Sequence, residues 1–219
     1  MLLGQSVPRR EGPAKVTGRA QYVDDLTLPG MLVGTTVRSA VPRGFIKRIE
    51  LERGIAWSDF VVVTAADIPG VNRIALILDD QPCLAADRVN HPEEPVVLLA
   101  HPDRDALEEA RRHVRIDIEP DPAVFSIDDA LDGRTIVWGR DNLFKSYAVS
   151  RGDVDRAMAS AEVVVEGEYE TGAQEQLYIE PNGMVATANA ADGVTVWGSM
   201  QCPYYIHKAL RALFDLPAD

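Results

Sequence analysis

Along the first half of the chain, apolar and polar positions alternate in short runs punctuated by Gly and Pro. Such a period of two predicts half-buried strands. Residues 31–39 and 45–51 are the first two runs, divided by a loop that holds Pro42 and Gly44. Strict alternation in the second run sets Phe45, Lys47 and Ile49 on one face and Ile46, Arg48 and Glu50 on the other. The unbroken apolar runs at 60–64 and 96–100 predict buried strands, and residues 65–72 fit one helical turn stopped by Pro69-Gly70. At 102–114 the spacing becomes helical, with Leu107, Ala110 and Val114 on one stripe and Glu108, Glu109, Arg111 and Arg112 facing water. Pro102 suits a first helical position, and Asp103 and Asp105 suit the positive end of the helix dipole. Alternation then resumes, with Val114, Ile116 and Ile118 inward, until Pro120 and Pro122. A short helix over 126–131 has Ser126 as its cap. Ahead of all this, residues 1–20 are polar and basic and are expected to form an extended arm. Tyr22 and Val23 are expected to be buried while Asp24 and Asp25 turn the chain.

The second half opens after an aperiodic polar stretch around 139–142. A helix is predicted over 151–161, with Asp153 as N-cap and Val154, Ala157, Met158 and Ala161 as its apolar stripe. Residues 163–170 predict a strand with Val163, Val165, Gly167 and Tyr169 on one face. Asn182-Gly183 and Asp192-Gly193 are hairpin signals flanking apolar runs at 184–188 and 194–198. A last helix over 203–214 presents Ile206, Leu210 and Leu213 on one side. The expected class is α+β, in two units spanning 1–135 and 136–219. A few strands and two helices cannot cover their own apolar faces. The second unit therefore either packs on the first or opens a larger domain.

Composition adds exclusions. The 219 residues suffice for two modest domains, and 46% hydrophobic with 26% charged residues is an ordinary globular balance. A formal net charge of -12 speaks against nucleic acid and anionic membrane surfaces as partners. Neutral or cationic small molecules and other protein subunits are the expected partners. No apolar run approaches the roughly 20 residues that span a bilayer, and the N-terminal residues lack a signal-peptide pattern. Arg9-Arg10 precedes no apolar run, so no twin-arginine export signal is read there. Cys83 and Cys202 have neither CxxC nor zinc-site spacing. A reducing, cytoplasmic compartment fits. Glycine-rich phosphate loops and GxSxG nucleophile elbows are absent.

Candidate chemistry concentrates at residues 171–181. Gln174, Glu175, Gln176 and Glu180 stand there among Leu177, Tyr178 and Ile179, between runs expected to be buried. Amides and carboxyls are costly to bury without partners. Taken alone, Gln174 is better explained by a core amide that caps strand ends than by ligand contact. Gln201 could contact a cofactor or serve a turn or helix cap. Cys202, at a helix start, could be an activated thiol or a small buried residue. Tyr178 is expected in the core with its hydroxyl bonded.

The chain resembles the molybdenum-cofactor subunit of the xanthine dehydrogenase and aldehyde oxidase family. Lys15-Val-Thr-Gly-Arg-Ala-Gln-Tyr-Val-Asp-Asp25, Val63-Thr-Ala-Ala-Asp-Ile-Pro-Gly70 and Ser126-Ile-Asp-Asp-Ala-Leu131 are similar to its α/β-hammerhead domain. Gly152-Asp-Val-Asp-Arg-Ala, Gly172-Ala-Gln-Glu-Gln-Leu-Tyr-Ile-Glu-Pro181 and Gly198-Ser-Met-Gln-Cys-Pro203 are similar to the start of its molybdenum-binding domain. The resemblance implies a hammerhead domain with its N-terminal arm over 1–135 and an incomplete molybdenum-cofactor-binding domain over 136–219. It implies molybdenum-molybdopterin, completed by sequence or subunits beyond residue 219. Iron-sulfur clusters and FAD would sit on partner subunits or domains. It assigns Gln174 an amide bond to an oxo group of molybdenum, Gln201 a cofactor contact, and Glu175, Tyr178 and Glu180 supporting places behind them. No catalytic residue is expected within this chain, which would be inactive alone.

The implied reaction is hydroxylation of an electron-poor carbon in an aldehyde or N-heterocycle, with oxygen from water and electrons leaving through iron-sulfur clusters to flavin. The 200–210 stretch looks most like the purine-hydroxylating, xanthine dehydrogenase-type branch. Two departures stand out: Gln176 replaces a histidine common in the family, and His91-Pro-Glu-Glu-Pro-Val-Val97 replaces a glycine-containing stretch. The family's glycine-rich cofactor loops and catalytic glutamate come later than residue 219. A non-catalytic assembly or binding module that keeps the hammerhead domain is the alternative.

Overall fold

The computed structural model describes residues 4–74, 78–174, 177–179 and 182–217. Along them run α1 (Gly12–Val16), β1 (Val33–Arg38), β2 (Gly44–Leu51), β3 (Val61–Val63), β4 (Arg88–Val89), β5 (Pro95–His101), α2 (Arg104–Arg112), β6 (Val114–Pro120), α3 (Ile127–Asp132), α4 (Val154–Ala159), β7 (Met184–Asn189), β8 (Gly193–Gly198) and α5 (Pro203–Phe214). The strands form two three-stranded sheets, β1-β5-β3 and β4-β2-β6, and the hairpin β7-β8. Every pairing is antiparallel.

The stripe of α2 makes the first unit's core. Leu107 and Ala110 are 1% and 0% exposed and pack with Val37 of β1, Val89 of β4 and Val96, Val97 and Leu99 of β5. The helix begins at Arg104 rather than Pro102 because Asp103 caps it, its carboxylate accepting from the Asp105 and Ala106 amides at 2.8 and 3.0 Å. Val114, expected as the last turn of that helix, is the first residue of β6.

Strict alternation fails in β2. A bulge interrupts the β2–β6 register between Ile46 and Arg48, so that Ile46 opposes Ile118 and Ile49 opposes Ile116. One extra residue on the bulged strand returns the next side chain to the same face. Ile46 and Ile49, expected on opposite faces, both pack against the core, and Lys47 pairs with Glu119 outside. The 60–64 strand is also less buried than its apolar run implies. It is an edge strand, paired only with β5, and Val61 is 48% exposed. The N-terminal arm is not wholly extended, since α1 forms within it, and Tyr22 is exposed. Asp25 does take the turn role, accepting from the Tyr22 amide at 2.9 Å.

The capped helices expected at 126–131 and 151–161 form, the second only over Val154–Ala159. Ser126 accepts from the Asp129 amide at 3.0 Å and Asp153 from the Arg156 amide at 3.0 Å. The stripe of α4 nevertheless buries nothing. Residues 163–170 form no strand; Val165 and Tyr169 are 84% and 90% exposed. A strand needs a neighbour for its backbone groups, and no described strand pairs with this segment. The hairpin turn lies at Asn189, whose side chain accepts from the Ala191 and Asp192 amides, with Gly193 at φ 72°. Asn182-Gly183 makes no hairpin turn and leads into β7 instead.

Several contacts among the described residues join the units, including the bond from the Trp138 indole to Asp80 at 3.0 Å. Buried Arg43 pairs with Asp121 at 2.9 Å and donates to the carbonyls of Pro122 and Ile136, holding both ends of the crossover that carries α3. The Gly70 and Val71 amides donate to the carbonyls of Leu213 and Ala212, in the last turn of α5.

Candidate functional site

The β7–β8 hairpin organises the polar stretch. Its register opposes Met184 to Gly198, so the chain entering β7 and the chain leaving β8 meet at one end. There the Ser199 amide donates to the Gly183 carbonyl at 3.3 Å. Gly198 is closely packed: a Cβ would lie 2.9 Å from Met184 Cγ and from Met200 Cε, and 3.1 Å from the Gly183 carbonyl oxygen. The hairpin thus sets Gly183, which ends one polar segment of the sequence, beside Ser199, which opens the other.

The side chains of these segments are more open than the sequence suggests. Gln174 lies in irregular backbone and is exposed, as is Gln201. Tyr178 is not a core residue; it is 54% exposed, with Leu177 at 83% and Ile179 at 100%. Its hydroxyl does have a partner, accepting from the Asn182 side-chain amide. Cys202 is exposed rather than buried and is the N-cap of α5, without a side-chain capping bond. Glu175, Gln176 and Glu180 lie outside the described residues.

Among the described residues, no three His, Cys, Asp or Glu side chains converge to hold a metal ion. The described side chains of the two segments carry hydrogen-bonding groups: the carboxamides of Gln174 and Gln201 and the Tyr178–Asn182 pair. Neutral amides donate without adding charge. That donor set fits an oxygen-rich cofactor whose metal is held by its own ligands, and it does not fit a protein-ligated ion. The glycine packing at Gly183 and Gly198 was missed from sequence, where Asn182-Gly183 signals only a turn. The Gly-Ser-Met-Gln-Cys-Pro motif was the available clue.

Comparison with known proteins matches two family models to the chain. The model of the aldehyde oxidase and xanthine dehydrogenase a/b hammerhead domain matches residues 17–122, and that of the molybdopterin cofactor-binding domain matches residues 139–219. One subunit of a probable xanthine dehydrogenase from Bacillus subtilis (strain 168) is 30% identical over 96% of this chain and 29% of its own length. The large molybdopterin subunit of nicotinate dehydrogenase from Eubacterium barkeri is 29% identical over 99% of this chain and 51% of its own. The crystal structure of quinoline 2-oxidoreductase from Pseudomonas putida 86 superposes with a TM-score of 0.80 at 26% identity, over 98% of this chain and 29% of that one. The chain therefore spans about half or less of these relatives.

Proposed function

The chain belongs to the aldehyde oxidase and xanthine dehydrogenase family, and from that premise we propose that it is the N-terminal part of the molybdopterin-binding subunit of a molybdenum hydroxylase. It consists of an α/β-hammerhead domain followed by the start of a molybdopterin-binding domain. We put the boundary between residues 135 and 136, and the gap between the two matched ranges supports it.

The proposed substrate is an N-heterocycle, with a purine as the leading choice, hydroxylated with oxygen from water. One observation carries this: xanthine, nicotinate and quinoline, named in the three relatives, are all nitrogen heterocycles. Two-electron oxidation of the substrate carbon is the chemistry that molybdopterin supplies when bound. The part proposed for this chain is to hold and orient. Gln174 would hold the cofactor by donating its amide N–H to the oxo group on molybdenum, and Gln201 would donate to the cofactor as well. Tyr178 steadies the Gln174 segment through Asn182, and the supporting places of Glu175 and Glu180 rest on the family motif alone. The proposed partners are the remainder of the subunit and the iron-sulfur and FAD subunits that take the electrons, in the cytoplasm. No helix among the described residues is long and apolar enough to cross a membrane.

The test is to co-express the chain with its downstream sequence and neighbouring subunit genes. Molybdenum is then measured by elemental analysis, and turnover on xanthine, nicotinate and an aldehyde. Molybdenum with heterocycle turnover is expected. A metal-free complex would overturn the cofactor reading, and turnover of the aldehyde alone would overturn the substrate class.

A further inference from the structure

The Asp67-Ile-Pro-Gly70 motif, which the proposed reaction leaves without a role, leads into a loop that reaches across to the second unit. The Gly70 amide donates to the Leu213 carbonyl at 2.9 Å and the Val71 amide to the Ala212 carbonyl at 2.8 Å. The last four carbonyls of a helix have no partner within it; two of those of α5 are met by the other unit's backbone. The fit leaves no room for a side chain at Gly70. A Cβ there would overlap the Ala212 carbonyl oxygen and lie 2.9 Å from both the Asp215 nitrogen and the Leu213 oxygen.

The loop is held to its own unit on both sides. Ahead of it, the Thr64 amide and hydroxyl donate to the Asp67 carboxylate at 2.7 and 2.8 Å. These bonds keep that carboxyl below its ordinary pKa. Behind it, the Asn72 side chain accepts from the Cys83 and Leu84 amides, each at 3.1 Å, and donates to the Leu84 carbonyl at 2.7 Å. Leu84 is 1% exposed, and the Ala85 amide donates to Pro95 at the start of β5. A continuous set of bonds therefore runs from the central strand of the first unit, through Asn72 and Gly70, to the C-terminal end of α5. At the other end of that helix, 12 residues or about 18 Å away, stand Cys202 and Gln201.

We infer that the Gly70–Asn72 loop is a positioning device, through which the first unit sets the pose of α5 and, with it, of the Gln201 segment at the hairpin base. This rests on the proposed cofactor-facing role of Gln201. Gly70 and Asn72 touch no substrate or cofactor; they act through the helix.

The experiment uses the complete multisubunit enzyme with three variants. Gly70→Ala pushes the Ala212 carbonyl away, and Asn72→Ala unpins the loop while leaving its backbone donors. Val71→Ala keeps the backbone amide and serves as the control. Amide hydrogen exchange is followed at 199–206, beyond the far end of α5, and in α2, which reports the first unit's core. Molybdenum content, kcat and KM are measured alongside. Gly70→Ala and Asn72→Ala are expected to speed exchange at 199–206 by about tenfold, with α2 unchanged. In both, kcat falls at constant molybdenum content and near-constant KM, while Val71→Ala matches the parent.

Unchanged exchange at 199–206 in both variants overturns the inference. So does acceleration that appears equally in α2, which would mark the loop as a general prop. If Gly70→Ala fails to fold, Asn72→Ala decides by the same readouts. Absence of molybdenum from the parent enzyme would strike the proposed function, whereas the exchange result would still judge the coupling.

Discussion

Leu107→Ala should be one of the most damaging single substitutions in the first unit. The side chain is 1% exposed at the centre of the α2–sheet contact, packed with Val96, Val97 and Leu99 of β5 and Val37 of β1. Truncation removes about three carbons from full burial, each worth about 0.8 kcal/mol, or about 2.4 kcal/mol in transfer alone. The surrounding strands are tied by their ladders and cannot close the space, so a cavity term adds to this. A total of about 2–5 kcal/mol follows, a large share of the roughly 5–15 kcal/mol that holds an ordinary domain. Leu131 in α3 is the matched control: the same residue type, also on a helix, but 67% exposed. Its truncation should cost no more than about 0.5 kcal/mol. Urea denaturation of the 219-residue chain with Trp138 and Trp197 replaced by Phe, followed by the fluorescence of Trp57 beside this core, gives both numbers. A Leu107→Ala cost below about 1 kcal/mol, or equal to that of Leu131→Ala, would refute the placement of the core.

Three further outcomes are expected. Asp103 is held below its ordinary pKa by the amides of Ala106 and Asp105. Its share of stability is therefore full above the ordinary carboxylate value of about 3.9 and is lost as pH falls through the lowered one. Amide exchange at Ala106 against pH should rise at the acid end, and Asp103→Asn should flatten that response. Gly44→Ala places a Cβ 2.5 Å from the Glu119 carbonyl oxygen and 2.6 Å from Ile118 Cγ2; thermal unfolding should show a loss of about 1–3 kcal/mol, and an unchanged midpoint would contradict the close β2–β6 approach. Gln174→Ala in the complete enzyme should lower kcat without moving the unfolding of the first unit; an unaltered kcat at full molybdenum content would remove Gln174 from the site.

The legible parts of this protein were those that local chemistry decides. Asp103, Ser126 and Asp153 cap their helices because a short side-chain oxygen placed before a helix satisfies its free amides wherever that helix packs. The stripe of Leu107 and Ala110 and the inward Val114, Ile116 and Ile118 were likewise visible as periods of 3.6 and two. The site was legible as a motif and not as geometry. Gln174 and Gln201 were named from the family motifs, while the meeting of Gly183 with Ser199 between the two segments depends on the β7–β8 register. The burial inferred for Tyr178 and for residues 163–170 failed because apolar pattern states which face seeks cover, not whether cover is present.

By itself, then, the sequence determined the helix caps, the core stripe of α2, the α+β class and the family motifs. Each depends on neighbours within a few residues or on side-chain type alone. Tertiary structure decided what depends on distant partners. It placed a bulge at Lys47 that returns Ile46 and Ile49 to one face, because the register with β6 demands an extra residue there. It made β3 an edge and left 163–170 without a ladder. It turned Pro69-Gly70 from a helix stop into a seat for α5, because only the approach of the second unit shows why a Cβ is excluded at Gly70.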